Sequence, residues 1–122
     1  MLTLITATLN AGAFLERALA SADAQTEPVQ HIVVDGGSND ATVTICRQHP
    51  KVDLTVVPGC SIYEAWNFGL DKARGDAIMF LNADDELMPD TAARVAAAFG
   101  SDLRVDILAG RAAFVDAERP LV

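Results

Sequence analysis

Basic residues are scarce in this chain: nine Lys and Arg stand against seventeen Asp and Glu, for a formal net charge of -8 over 122 residues. That imbalance excludes nonspecific attraction to nucleic acid or to an anionic membrane surface, and an anionic ligand would need a metal ion to mediate. Cysteine is nearly absent. Cys46 and Cys60 form no ligand cluster and read as reduced thiols, Cys46 as a small core residue. No apolar run approaches the roughly twenty residues of a membrane span, so no integral membrane segment is expected. Met1 leads straight into a strand-like run without a basic region, so no signal peptide is expected. The expected location is cytoplasmic, with peripheral attachment at the inner membrane face left open. No Gly-x-Gly-x-x-Gly follows the first apolar run, which removes the fingerprint of dinucleotide-dependent redox chemistry. There is no internal repeat and no Ser- or Pro-rich linker. The two histidines, His31 and His49, carry no catalytic assignment.

What is present is 51% hydrophobic content, ample for one packed core and a single domain over 1–122. Strand-like and helix-like patterns alternate throughout, the mark of a largely parallel sheet flanked by helices. Strands are expected at Leu2–Thr8, His31–Asp35, Asp53–Val57 and Ala77–Leu81, and a last one around Val105–Leu108 that extends towards Val115. Asn10 offers an N-cap to a helix carrying Phe14, Leu15, Ala18, Leu19 and Ala22 at helical spacing. Asn39 or Asp40 offers one to a helix through Val43, Ile45 and Cys46. A third helix is expected over Ile62–Ala73, ended by Gly75, with Trp66 and Leu70 as its core face. A fourth runs from about Pro89 to Phe99 and stops at Gly100.

The run from Ala77 to Leu81 is suited to burial, yet it ends abruptly in Asn82-Ala83-Asp84-Asp85. Carboxylates in a row repel one another and folding does not ask for them, so a divalent cation is their natural partner. The ordinary alternative is an acidic loop in which Asp84 or Asp85 caps a turn. Two further loops that follow strands are polar beyond what a core needs: Thr8-Leu9-Asn10, and Asp35 to Asp40. Ligands of open parallel sheets bind beyond the carboxyl ends of the strands, where all three loops should converge. There Asp35 can accept hydrogen bonds from a nucleobase or sugar, or simply form an Asx turn; Ser38 and Asp40 can serve as caps. On the third helix, Glu64 and Asn67 stand three apart and can share a face towards the crevice.

Together these segments resemble the nucleotide-sugar-binding half of an inverting family-two glycosyltransferase with the A-type fold. The resemblance is carried by Ile5-Thr6-Ala7-Thr8-Leu9-Asn10, by Leu19, Ser21 and Gln25, and by Val33 to Thr42. It continues through Ser61 to Gly69, Ala73-Arg74-Gly75-Asp76 and Phe80 to Asp85. It implies a Rossmann-like nucleotide-diphospho-sugar transferase fold, here truncated. It further implies that Asp35 binds the uracil or ribose of a uridine diphosphate sugar, that Thr8 and Asn10 lie around the base, and that Asn67 lies beside the donor sugar. Asn82-Ala83-Asp84 matches the family's Asp-x-Asp signature, so Asn82 and Asp84 contact the donor. Asp84, then Asp85, hold a Mn²⁺ or Mg²⁺ ion on the diphosphate, and that ion assists departure of the leaving group.

The departures matter as much. Asn82 replaces an acid with a neutral ligand, and Gly36 stands where the family often has a second acid. The acceptor half is expected to be absent, and no residue matches the general base an inverting transfer needs; Asp116 and Glu118 are not assigned that role. By itself the chain is expected to transfer no sugar at a useful rate. A homo-oligomer, or a partner supplying the missing half, is expected to cover apolar surface near Ala112, Ala113, Phe114 and Val115. The competing reading, from another class, is a noncatalytic nucleotide-binding or interaction module.

Overall fold

In the computed structural model of the protein, residues 1–114 are described. Four strands form one parallel sheet: β1 (Leu2–Thr8), β2 (Val29–Asp35), β3 (Val52–Val56) and β4 (Ala77–Phe80), in the order β3-β2-β1-β4. The second strand thus lies beside the first, and the fourth on its other side. Side chains of β1 alternate between the faces, as a strand of period two requires. Leu2 and Leu4 meet Ala18, Ala22, Leu81 and Ala92, while Ile32 and Val34 of β2 meet Ala65 on the opposite face. Helices α1 (Leu15–Asp23), α2 (Thr42–Arg47) and α4 (Thr91–Ser101) cover the first face, and α3 (Ile62–Lys72) lies against β1 and β2 on the second.

The buried stripe of α3 is made of its smallest residues. Ala65 and Gly69 face the sheet, and a Cβ at Gly69 would come within 2.5 Å of Ile5 Cγ2. Close backbone approach thus accounts for a mid-helix glycine that costs about 1 kcal/mol relative to alanine. It also displaces the expected core face: Leu70 is exposed, and Trp66 is half-buried against Phe80, with ring centroids 4.7 Å apart. The helix ends at Lys72, with Ala73 rather than Gly75 as its C-cap.

Several other boundaries move. Asn10 does not cap α1, which starts at Leu15 after a turn in which Ala11 O accepts from both Phe14 N and Leu15 N. The N-cap of α2 is Ala41, although the Asp40 carboxylate still accepts from Thr42 N at 2.9 Å. Pro89 precedes α4, whose N-cap is Asp90, and Gly100 lies within its last turn instead of ending it. No strand forms over Val105–Leu108. Val105 N closes a turn onto Asp102 O, and Leu103 and Ile107 are 93% and 86% exposed. An apolar run makes a strand only where a neighbour pairs with it, and no described segment does so here. Val115, Asp116 and Glu118 lie outside the described residues.

Candidate functional site

β1 and β2 end level, with Thr8 opposite Asp35. The Thr8 hydroxyl donates to Asp35 Oδ1 at 3.1 Å, Gly37 N and Ser38 N donate to Oδ2 at 2.9 and 2.7 Å, and the Ser38 hydroxyl donates to Oδ1. An ionised carboxylate has about four acceptor sites, so Asp35 is fully engaged within the protein. It is also completely buried. The carboxylate ties its own turn, as an Asx residue does, with Gly37 in the left-handed region at φ 95°.

That turn is joined to the loop after β1. Asn10 N donates to Ser38 Oγ at 2.8 Å, and Asn39 N donates to Asn10 Oδ1 at 2.9 Å. Two residues on, Gly12 N donates to Asp40 Oδ2 at 3.0 Å and Ala11 N to Thr42 Oγ1 at 2.9 Å. Asn10 itself holds φ 51°, which asparagine tolerates better than most residues. The hydrogen bonds from the Thr42 hydroxyl and from backbone amides hold the exposed Asp40 carboxyl below the usual range.

The acidic turn follows β4 on the other side of β1. Leu81 N continues the pairing onto Ile5 O at 3.0 Å. Three residues on from the Ile5–Phe80 pair, the same register would bring Ala83 level with Thr8. Ala83 packs against the apolar cluster formed by Ala11, Leu15, Leu19, Val33 and Cys46, which ties the turn to the α1 side of the core. Asp85 N donates to Asn82 O at 3.1 Å, and Asn82 Nδ2 donates to Asp85 Oδ2 at 3.0 Å. Asp84 is exposed, with no protein hydrogen bond to its carboxylate among the described residues, whereas Glu86 is paired with Arg17 at 2.5 Å. Behind the turn, Ser21 Oγ accepts from Leu87 N at 3.0 Å, Gln25 Nε2 donates to Met88 O at 2.9 Å, and Gln25 Oε1 accepts from Ala92 N at 2.9 Å. Ser21 and Gln25, known from the sequence only as part of the resemblance, thus anchor the acidic segment to α1.

Among the described residues, no three His, Cys, Asp or Glu side chains are grouped to hold a metal ion by themselves. The donor set at the acidic turn, one unengaged carboxylate beside a second, suits a hard divalent cation that takes its remaining ligands from water and phosphate oxygens. Glu64 does not look into the crevice; its carboxylate accepts from Ser61 N at 2.6 Å and closes a capping box. Asn67 is exposed on α3 and has no hydrogen bond to Thr8, Asp35 or the acidic turn. A groove of about 320 Å³, lined by Val57, Pro58, Gly59, Cys60, Glu64 and Phe68 among others, adjoins the second loop, where Gly59 N donates to Gly36 O at 3.0 Å. A larger one, about 410 Å³, lies at the opposite end of the strands beside Met1, Leu2 and Phe99. It carries little functional weight, because ligands of a parallel sheet bind at the carboxyl edge.

The titratable core is structural. Burial pushes His31 down to about 4, and its Nε2 lies 2.9 Å from Thr6 Oγ1. Burial raises the Cys46 thiol to about 11, so it is an unreactive core residue.

Residues 3–121 match the family model of glycosyl transferase family 2. A PGL/p-HBAD biosynthesis glycosyltransferase of Mycobacterium bovis is 37% identical over 117 residues, 90% of this chain and 46% of its own length. A putative glycosyltransferase TagX of Staphylococcus aureus is 28% identical over 123 residues, 93% of this chain and 35% of its own. The chain thus spans about half, or less, of the length of these curated relatives. Among solved structures, S. aureus TarS 1–349 in complex with UDP-GlcNAc superposes with a TM-score of 0.75 at 25% identity, covering 82% of this chain and 31% of that one. A mannosyltransferase from Pyrobaculum calidifontis in complex with GDP-Man and Mn²⁺ gives 0.69 at 26% identity, covering 83% and 32%. No helix among the described residues is long and apolar enough to cross a membrane.

Proposed function

The chain belongs to glycosyl transferase family 2, and from that premise we propose that it forms the donor half of an inverting hexosyltransferase, binding a nucleotide diphosphate sugar of the uridine type for transfer to a glycan or lipid acceptor. One observation carries this reading: the Thr8–Asp35 strand ends and the Asn82–Asp85 turn flank the same central strand at the carboxyl edge of a parallel sheet. The A-type fold and the nucleotide sugars in the TarS and mannosyltransferase structures support it.

In this reading Thr8 and Asn10 lie on the wall beside the base, with Asp35 behind them. Asn82 and Asp84 contact the donor, and Asn67 lies towards the sugar. Asp84 and Asp85 hold a Mn²⁺ or Mg²⁺ ion, which when bound neutralises the diphosphate and stabilises the departing nucleotide. A chain of net charge -8 with acids at its site repels a diphosphate otherwise. The acceptor wall and the general base have no counterpart among the assigned residues, so the donor half alone transfers no sugar at a useful rate. The reading includes a cytoplasmic location.

A second reading, a noncatalytic nucleotide-binding or interaction module, is favoured by Ile78 and Phe80, which are 45% and 42% exposed on the edge strand β4. Calorimetric titration with uridine diphosphate, with and without Mn²⁺, tests the first reading. Binding only in the presence of the ion is expected, and equal affinity with a chelator present would remove the metal from it.

A further inference from the structure

The Ser38 hydroxyl has two partners in two different loops. It donates to the buried Asp35 carboxylate and accepts from the backbone N–H of Asn10 at 2.8 Å. Asn10 answers in kind, its Oδ1 accepting from Asn39 N at 2.9 Å. The result is a reciprocal clasp between the loop after β1 and the loop after β2. Its hub, Asp35, is completely buried and already satisfied by four donors, so it has no acceptor site left for a ligand. Gly36 is equally engaged, its N donating to Thr8 O at 2.9 Å and its O accepting from Gly59 N at 3.0 Å. The polar groups that looked like ligand contacts are largely holding one another.

We propose that Ser38 and Asn10 are positioning residues of the nucleotide site, and that Asp35 acts on the nucleotide only through them. The clasp fixes two loops as one preformed wall, so binding does not have to order them. Ordering loose loops at the moment of binding is a direct loss of affinity. The left-handed backbone of Asn10 is part of this device: at φ 51° the residue presents both its N–H and its Oδ1 to the same facing turn. The inference rests on the nucleotide-binding reading above, and its test separates the two.

The test uses the whole chain with Mn²⁺ and uridine diphosphate as probe, and compares Ser38→Ala with Ser38→Thr, and Asn10→Gly with Asn10→Asp. Ser38→Ala removes the acceptor of the Asn10 N–H, and Asn10→Gly removes the acceptor of the Asn39 N–H. The second member of each pair keeps a hydroxyl, or keeps an Oδ1 acceptor on a residue that tolerates the same φ. Ser38→Ala and Asn10→Gly should lose about tenfold in affinity, as deletion of a hydrogen bond tied to a charged group would give, with their rescuing partners within about threefold of the parent. Thermal midpoints measured alongside show that each variant is folded. Amide exchange in the free proteins should accelerate at Asn10 in Ser38→Ala and at Asn39 in Asn10→Gly, and not in the rescuing variants. Accelerated exchange with unchanged affinity would overturn the positioning role, and unchanged exchange would overturn the clasp. A parent chain that binds no nucleotide, yet shows the exchange differences, would overturn the functional reading and reduce the clasp to a folding element.

Discussion

His49 Nδ1 lies 2.6 Å from Asp23 Oδ2, and its Nε2 lies 3.1 Å from Glu16 Oε2, so one imidazole just past the end of α2 is clamped by two carboxylates of α1. Burial works against its charged form, but the hydrogen bonds and the charges of the two acids outweigh it and raise its pKa. His31, on β2 under the same helices, is displaced in the opposite sense, to about 4, by burial.

The two histidines should therefore give stability opposite pH slopes. The contribution of His49 is fully present below its unfolded value and is lost as pH rises through the raised folded value. For His31 the unfolded chain binds the extra proton between 6.5 and about 4, so stability falls as pH falls through that window, by on the order of 3 kcal/mol if the native state persists. Urea midpoints between pH 4 and 9 check both. His49→Gln should flatten the alkaline side and leave the acid side unchanged. His31→Gln, which removes the titrating group, should flatten the acid side.

Gly69→Ala should destabilise the protein although alanine is the better helix former. The added methyl would sit 2.5 Å from Ile5 Cγ2. Overpacking of about 1–3 kcal/mol opposes a propensity gain of about 1 kcal/mol, so a net loss in urea denaturation is expected. Ile5→Ala made in the Gly69→Ala background should cost less than Ile5→Ala alone. Additive losses would show that the close approach is not what limits the site.

The same contact marks how far the sequence could be read. All four paired strands were legible from apolar runs bounded by polar loops. The face of α3 was not. Periodicity weighted by hydrophobicity selects Trp66 and Leu70, whereas the helix sits so close to Ile5 that only the Ala65–Gly69 stripe fits. Asp35 shows a second limit. A carboxylate at a strand end reads as a ligand, but whether it faces out or back depends on Thr8, Gly37 and Ser38, which fold around it and take up its oxygens. Apolar residues around Val105 have no strand to pair with among the described residues, and no local propensity supplies one.

Association is the next expectation. Ile78 and Phe80 lie 45% and 42% exposed on β4, and Tyr63, edge to face with the Trp66 that meets Phe80, is also open to solvent. Clustered apolar exposure of this kind tends to be covered by another chain. Light scattering across a concentration series should show a homodimer or larger species that Ile78→Lys shifts towards monomer. A parent chain that stays monomeric at high concentration would remove the oligomer from the proposal.

The acidic turn allows a test in both directions. The Asp84 carboxylate is exposed and has no protein hydrogen bond among the described residues, so Asp84→Asn should leave the thermal midpoint unchanged. The same change should abolish the metal dependence of uridine diphosphate binding, because it removes the carboxylate of the turn that has no protein hydrogen bond among the described residues. Asn82→Asp is the converse. It deletes the Nδ2 donor that occupies Asp85 Oδ2 at 3.0 Å and places a third carboxylate in the turn. Three acids crowded together repel, so the free protein should lose a little stability, within about 1 kcal/mol for exposed charges. The same repulsion is relieved by a divalent cation, so Mn²⁺ affinity measured by calorimetry should rise, by more at low than at high ionic strength. A fall in Mn²⁺ affinity for Asn82→Asp, or no change for Asp84→Asn, would show that the ion is held elsewhere.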